Sequence, residues 1–196
     1  MMFMYNQKLV ADANATGTIY DVAFMGDSVI AYTVVVPAVA AVWDRFWGPS
    51  SGLKAARLGV GCSTVEELVW RIMSNGEKFA QDPKVVVLLV GINNSLESKP
   101  WKALEFLVKW MRVAMPRTKV LILAPLPNFL GTSDTFRVQY RRVAQRCPQC
   151  TFSTCGSTLN WRSHKLYMDP AHPNARGYTI VWNCLKPAVL KLLKTT

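Results

Sequence analysis

Two short segments at opposite ends of the 196-residue chain carry residue types suited to nucleophilic catalysis. Phe24-Met25-Gly26-Asp27-Ser28 follows an apolar run, which predicts Ser28 on a tight turn between a strand and a helix. A serine so placed can attack a carbonyl carbon once a base takes its proton. Asp169-Pro170-Ala171-His172-Pro173 holds an imidazole with a carboxylate three residues before it. That pair can serve as the base and as the group that fixes the base's tautomer.

Two further segments fit the same chemistry. Gly59-Val60-Gly61-Cys62-Ser63 and Gly91-Ile92-Asn93-Asn94 both follow apolar runs. A backbone N–H from the glycine-rich turn, the Ser28 N–H and the Asn93 amide are the donor types that stabilise an oxyanion in acyl transfer. The structural alternatives are a helix cap at Ser28, a turn residue at Asn93, and an Asp169–His172 cap for the last helix. His164, in a polar loop beside Arg162 and Lys165, reads as a surface residue.

The elements that must position these residues alternate along the chain. Asp21–Met25, Lys54–Val60, Val85–Val90, Val120–Ala124 and Cys150–Ser153 read as strands. The run of apolar residues at Val85–Val90 suits a central parallel strand buried on both faces. Val29–Trp47 reads as helical with a break near Pro37. Thr64–Ser74 has Val65, Leu68, Val69 and Ile72 at helical spacing, with Ser63 or Thr64 as the cap. Trp101–Met115 carries Leu104, Leu107, Val108 and Met111 on one side. Asp134–Cys147 is a basic helix with Arg137, Arg141 and Arg142 outward and Val138 and Val143 inward, and Asn174–Leu193 is the terminal helix. This alternation predicts an α/β domain with parallel strands and helices on both faces, and a site at the carboxyl ends of the strands. Residues 1–20 show little periodicity and are expected to form an N-terminal extension on a single domain spanning 21–196.

Composition narrows the class. The chain is 51% hydrophobic and 18% charged, which suits a globular fold rather than a disordered one. The apolar stretch Val34–Trp43, interrupted by Pro37, is short of the about 20 residues a membrane-spanning helix needs. Five cysteines, an odd number, and an N-terminus without a basic leader predict reduced thiols. The localisation expected on that basis is intracellular, in the cytoplasm or an organelle such as the mitochondrion, and not secreted. Cys147 and Cys150, with Cys155 and His164 nearby, lack regular zinc-ligand spacing and read as incidental thiols.

Charge is uneven: the net is −2 up to Ser98 and +13 from Lys99 onward. A basic C-terminal half points either to an anionic partner (nucleic acid, a lipid surface or an acidic protein) or to a solvated basic surface. The Arg137, Arg141, Arg142 and Arg146 stripe lacks the interleaved aromatics of a nucleic-acid reader.

Together, Gly26-Asp27-Ser28, the glycine turn, Gly91-x-Asn93 and Asp169-x-x-His172 resemble the SGNH hydrolase superfamily, also called the GDSL lipase/esterase family. Leu68-Val69-Trp70-Arg71 before Asn75-Gly76-Glu77, with Val90-Gly91-Ile92-Asn93-Asn94, resembles its platelet-activating-factor acetylhydrolase type Ib branch. The resemblance implies a flavodoxin-like three-layer α/β/α sandwich with a five-stranded parallel sheet. It implies a serine esterase acting on a small, acetyl-type acyl ester, with no metal or organic cofactor. Ser28, Asp169 and His172 would be the triad, and Ser28, Asn93 and either Cys62 or Gly61 the oxyanion donors. Cys62 stands where the family's glycine is expected, and its Cβ is expected to alter the turn or narrow the acyl pocket. The competing reading is the same fold recruited, with little or no activity, as a structural or interaction subunit of a larger organellar or ribonucleoprotein assembly; within the esterase reading a homodimer is expected as the alternative to a monomer.

Overall fold

The computed structural model describes residues 2–195. Its elements run α1 (Met2–Thr16), β1 (Val22–Gly26), α2 (Ser28–Val35), α3 (Pro37–Trp47), β2 (Ala55–Gly59), α4 (Val65–Ser74), β3 (Val85–Leu89), α5 (Pro100–Ala114), β4 (Lys119–Leu123), α6 (Ser133–Gln145), β5 (Cys150–Ser153) and α7 (Ala175–Leu193). The five strands form one sheet in the order β2-β1-β3-β4-β5. Every pairing is parallel. This is the three-layer α/β/α arrangement, and the chain reverses direction across the sheet between β1 and β3, where such folds bind ligands.

Alternate strand residues feed two cores, as the two-residue period of a strand requires. Ala23, Met25, Val86, Leu88, Val120 and Ile122 pack under α1, α4, α5 and α6. Val22, Phe24, Val87, Leu89, Leu121 and Leu123 pack under α2, α3 and α7. The second core centres on Phe24, whose ring lies 4.9 Å from Trp43, 4.8 Å from Trp47 and 5.5 Å from Trp182. Edge-on and tilted ring pairs at these distances add to the burial they bring.

Local signals explain most boundaries. Thr64 caps α4 through a reciprocal box with Glu67. Asn174 caps α7 by accepting from the Arg176 and Gly177 N–H groups. Pro37 opens α3 and breaks it from α2 at a bend of 96°. No single helix among the described residues is long and apolar enough to cross a membrane.

Three expectations need correction. Residues 2–16 are helical, because Asn6, Val10 and Ala13 share one buried face, and the polar Asn6 hides the stripe from a hydrophobicity pattern. In α6 the inward residues are Phe136, Tyr140, Val143 and Ala144, whereas Val138 is 48% exposed because it lies off that 3.6-residue stripe. Four cysteines are not reduced: Cys147 pairs with Cys150 and Cys155 with Cys184, at Cα separations of 5.2 Å and 5.6 Å. An odd count predicted thiols, but the fold brings two pairs into bonding range and leaves Cys62 free.

Candidate active site

The turn that carries Ser28 is built on close backbone contact. A Cβ on Gly59, the last residue of β2, would stand 2.2 Å from the Ala31 nitrogen, so only glycine lets α2 start directly over the sheet edge. Asp27 caps α2, its Oδ1 accepting from the Val29 N–H at 3.0 Å. Its Oδ2 accepts from Gly91 at 3.1 Å and Ile92 at 3.4 Å. One buried carboxyl therefore ties the turn after β1 to the turn after β3. Burial pushes Asp27 up to about 6, against the Val29, Ile92 and Gly91 N–H groups and the nearby His172, which pull it down.

Ser28 meets the Asp169–His172 turn, distant from it in sequence, at this rim. His172 Nε2 lies 2.8 Å from Ser28 Oγ across a sequence separation of 144 residues. His172 Nδ1 lies 2.9 Å and 2.8 Å from the two Asp169 oxygens. Asp169 Oδ1 also accepts the Ala171 and His172 N–H groups, both at 2.8 Å. Burial alone would raise the Asp169 carboxyl, but these donors outweigh it and hold the carboxyl below its usual value. An ionised Asp169 requires a proton on Nδ1, which leaves the Nε2 lone pair facing Ser28.

The histidine turn is itself anchored. Met168 N–H donates to the His172 carbonyl at 3.0 Å and Asn174 N–H to the Leu166 carbonyl at 2.9 Å. In α7, the fully buried Tyr178 donates its hydroxyl to the Val29 carbonyl at 2.6 Å, clamping the helix behind His172 onto the helix that begins at Ser28.

Among the expected oxyanion donors, Asn93 Nδ2 donates to the Ser63 carbonyl at 3.0 Å, which leaves its second N–H free. The neighbouring Asn94 is buried and fully engaged: its oxygen accepts from Val65 N–H and its nitrogen donates to Glu66 and Ser98. Only Asn93 of the two has a donor to offer. Gly61 and Cys62 lie exposed in a turn closed by Ser63 N–H to the Val60 carbonyl at 3.3 Å. Cys62, not Gly61, takes the left-handed conformation, with φ of 60°.

Tyr32 has no place in a sequence reading of the site. Its ring stacks on His172 with centroids 4.2 Å apart and planes 21° apart. Partial burial, then Asp169, then Cys62 push its hydroxyl up. The signal available in sequence was its spacing of one helical turn after Ser28, which puts both on one face of α2.

The GDSL-like lipase/acylhydrolase family profile matches residues 24–180. The chain belongs to that family. It is 32% identical over 110 residues to the platelet-activating factor acetylhydrolase IB subunit alpha2 of Rattus norvegicus, covering 55% of this chain and 44% of that protein. It is 27% identical over 187 residues to the subunit alpha1 of Bos taurus, covering 88% of this chain and 76% of the relative. The chain thus spans less than half the length of the alpha2 relatives it matches. Two solved structures share the fold. A GDSL-like lipase from Bacteroides thetaiotaomicron superposes with a TM-score of 0.65 at 18% identity, covering 95% of this chain and 98% of that one. The psychrotrophic esterase EstA from Pseudoalteromonas sp., inhibited by monoethylphosphonate, superposes at 0.67 with 17% identity, covering 88% and 98%. No cluster of three or more metal-ligating side chains occurs among the described residues.

Proposed function

We propose that this GDSL-family hydrolase cleaves a small acyl ester, of the acetyl type, through a Ser28–His172–Asp169 triad. The observation that carries the reading is the unbroken chain of contacts from Ser28 Oγ through both ring nitrogens of His172 to Asp169. His172 Nε2 takes the Ser28 hydroxyl proton as Oγ bonds to the ester carbonyl carbon. The carbonyl oxygen, now an alkoxide, accepts hydrogen bonds from Ser28 N–H, the Gly61–Cys62 turn and Asn93. Removing one such donor typically costs about 10²–10³-fold in kcat. The imidazolium, steadied by Asp169, returns its proton to the alcohol oxygen as the C–O bond breaks. Water, deprotonated by His172, then attacks the acyl-Ser28 carbonyl, and collapse releases the acid and restores the serine.

The acetyl preference rests on the acetylhydrolase relatives and on the Cys62 side chain at the turn. The phosphonate-inhibited EstA fold supports the choice of probe. A panel of nitrophenyl esters of increasing chain length, run on wild type and Ser28→Ala, is expected to show turnover falling with chain length and absent in the variant. A fluorophosphonate should label Ser28. Folded protein that neither turns over the acetyl ester nor takes the label would refute the reading.

The relatives are named as subunits, which supports association of this chain as a homodimer or within a larger assembly. Light scattering of the purified chain is expected to give a mass above that of the 21.9 kDa monomer; a monomer at micromolar concentration would remove the homodimer.

A further inference from the structure

We propose that Asn6, Glu77 and Arg71 form a buried positioning chain that holds the two strand-end turns bearing the Ser28 and Gly61–Cys62 N–H groups in mutual register. The proposal rests on the reading of Ser28 as nucleophile and adds residues that contact no substrate.

Arg71, on α4, donates from Nη2 to the Gly26 carbonyl at 2.9 Å. That carbonyl belongs to the peptide leading into Asp27 and Ser28, and it also accepts the Val60 N–H at 3.3 Å. Asn6, on α1, donates from Nδ2 to the Gly59 carbonyl at 3.2 Å and to Glu77 Oε1 at 3.0 Å. Glu77 Oε2 stands 3.6 Å from Arg71 Nε, an ionic contact too long for a hydrogen bond. Gly26 and Gly59 are register partners at the ends of β1 and β2. The chain therefore grips the last carbonyl of each of the two adjacent strands whose following turns carry donors.

All three side chains are out of water: Arg71 is 2% exposed, and Asn6 and Glu77 are 0%. Burial lowers Arg71 and raises Glu77, and each is drawn back toward its charged form by the other. A buried ion pair is a poor source of stability, since apolar residues of equal volume often serve as well. Holding carbonyls at fixed positions is something apolar residues cannot do. Gln7 Nε2 adds a bond to the Asn75 carbonyl at 3.0 Å, fixing α1 against the loop that carries Glu77. This gives a role to Arg71, Asn75 and Glu77 within the 68–71 and 75–77 segments and makes α1 part of the site's scaffold.

The test measures kcat and KM on a nitrophenyl acetate, the rate of fluorophosphonate labelling, and the melting temperature. Asn6→Ala removes one uncharged amide and leaves the Arg71–Glu77 pair. Its kcat and labelling rate are expected to fall about tenfold with KM changed less than about twofold, since a displacement near 1 Å can cost about 10²-fold. The double variant Arg71→Met with Glu77→Leu deletes both charges together and is expected to lose about 100-fold in kcat while folded. Variants that melt lower yet keep wild-type kcat at temperatures where they are folded would overturn the proposal. An Asn6→Ala chain that fails to fold would assign the amide to stability and overturn it too. Wild-type protein without turnover or labelling would instead defeat the nucleophile reading, a separate outcome.

Discussion

Tyr32 lies flat against His172, ring centroids 4.2 Å apart, from the same face of α2 that presents Ser28. The stack covers a face of the imidazole, whereas Asp169 holds its Nδ1 edge. An aromatic pair of this kind is worth about 0.5–1.5 kcal/mol, so Tyr32→Ala should lower kcat about 3–10-fold. Tyr32→Phe keeps the stack and should keep the rate; steady-state kinetics on one short ester compares the two.

Asp169 selects the tautomer of His172. Asp169→Asn presents an amide to Nδ1 and permits the proton to sit on Nε2, facing Ser28. A loss of about 10³–10⁴-fold in kcat is expected, as for the same change in a serine-protease triad, with the fold intact by circular dichroism. A loss under tenfold would mean that Asp169 only caps the turn.

The Asp27 carboxyl should make stability fall with rising pH. Its folded value of about 6 lies above the ordinary carboxylate value of 3.8. The folded state therefore binds the proton more tightly, and the resulting stabilisation is complete below pH about 4 and lost as pH rises through about 6. The shift corresponds to about 3 kcal/mol. Denaturant melts from pH 4 to 7 should show this slope in wild type and a flatter one in Asp27→Asn. Asp169, held below its usual value, acts in the opposite sense and in a lower window, losing its contribution as pH falls below about 4.

Cys62 occupies a left-handed conformation that glycine adopts without strain. Cys62→Gly should raise stability by about 0.5–1 kcal/mol, the relief of the Cβ clash less the extra flexibility of the unfolded chain. Thermal melts measure this directly, and unchanged or lower stability would reject it.

The Cys155–Cys184 bridge spans a sequence separation of 29 residues that includes Asp169 and His172. A closed loop of that length restricts the unfolded chain by about 3–4 kcal/mol. Cys155→Ser with Cys184→Ser should lose about that much on urea titration and fall in kcat as the histidine turn loosens.

The strands, helix breaks and four motif segments were legible because each leaves a local mark: apolar runs, Pro37, the Thr64–Glu67 box, glycine beside serine. The α1 helix was not, because Asn6 occupies a core position at the i, i+4, i+7 spacing it shares with Val10 and Ala13, and its polarity is satisfied only by Gly59 and Glu77. Val138 was misplaced because two valines in a basic helix do not define its inner face, which Phe136 and Tyr140 do. The disulfides escaped because pairing depends on which Cα atoms the fold brings within reach, and a count of cysteines carries no distances.

By itself the sequence determined the residue types able to perform acyl transfer, their order, and the alternation of strand and helix that puts them on one rim. Those follow from propensities and periodicities acting over one or two turns of chain. The tertiary structure decided which groups meet: Nε2 of His172 against Ser28, Asn93 rather than Asn94 with a free donor, Tyr32 on the imidazole, and Arg71 on the Gly26 carbonyl. Each of those contacts joins residues far apart in the chain, and only the packing of two cores against a common sheet sets distances at that range.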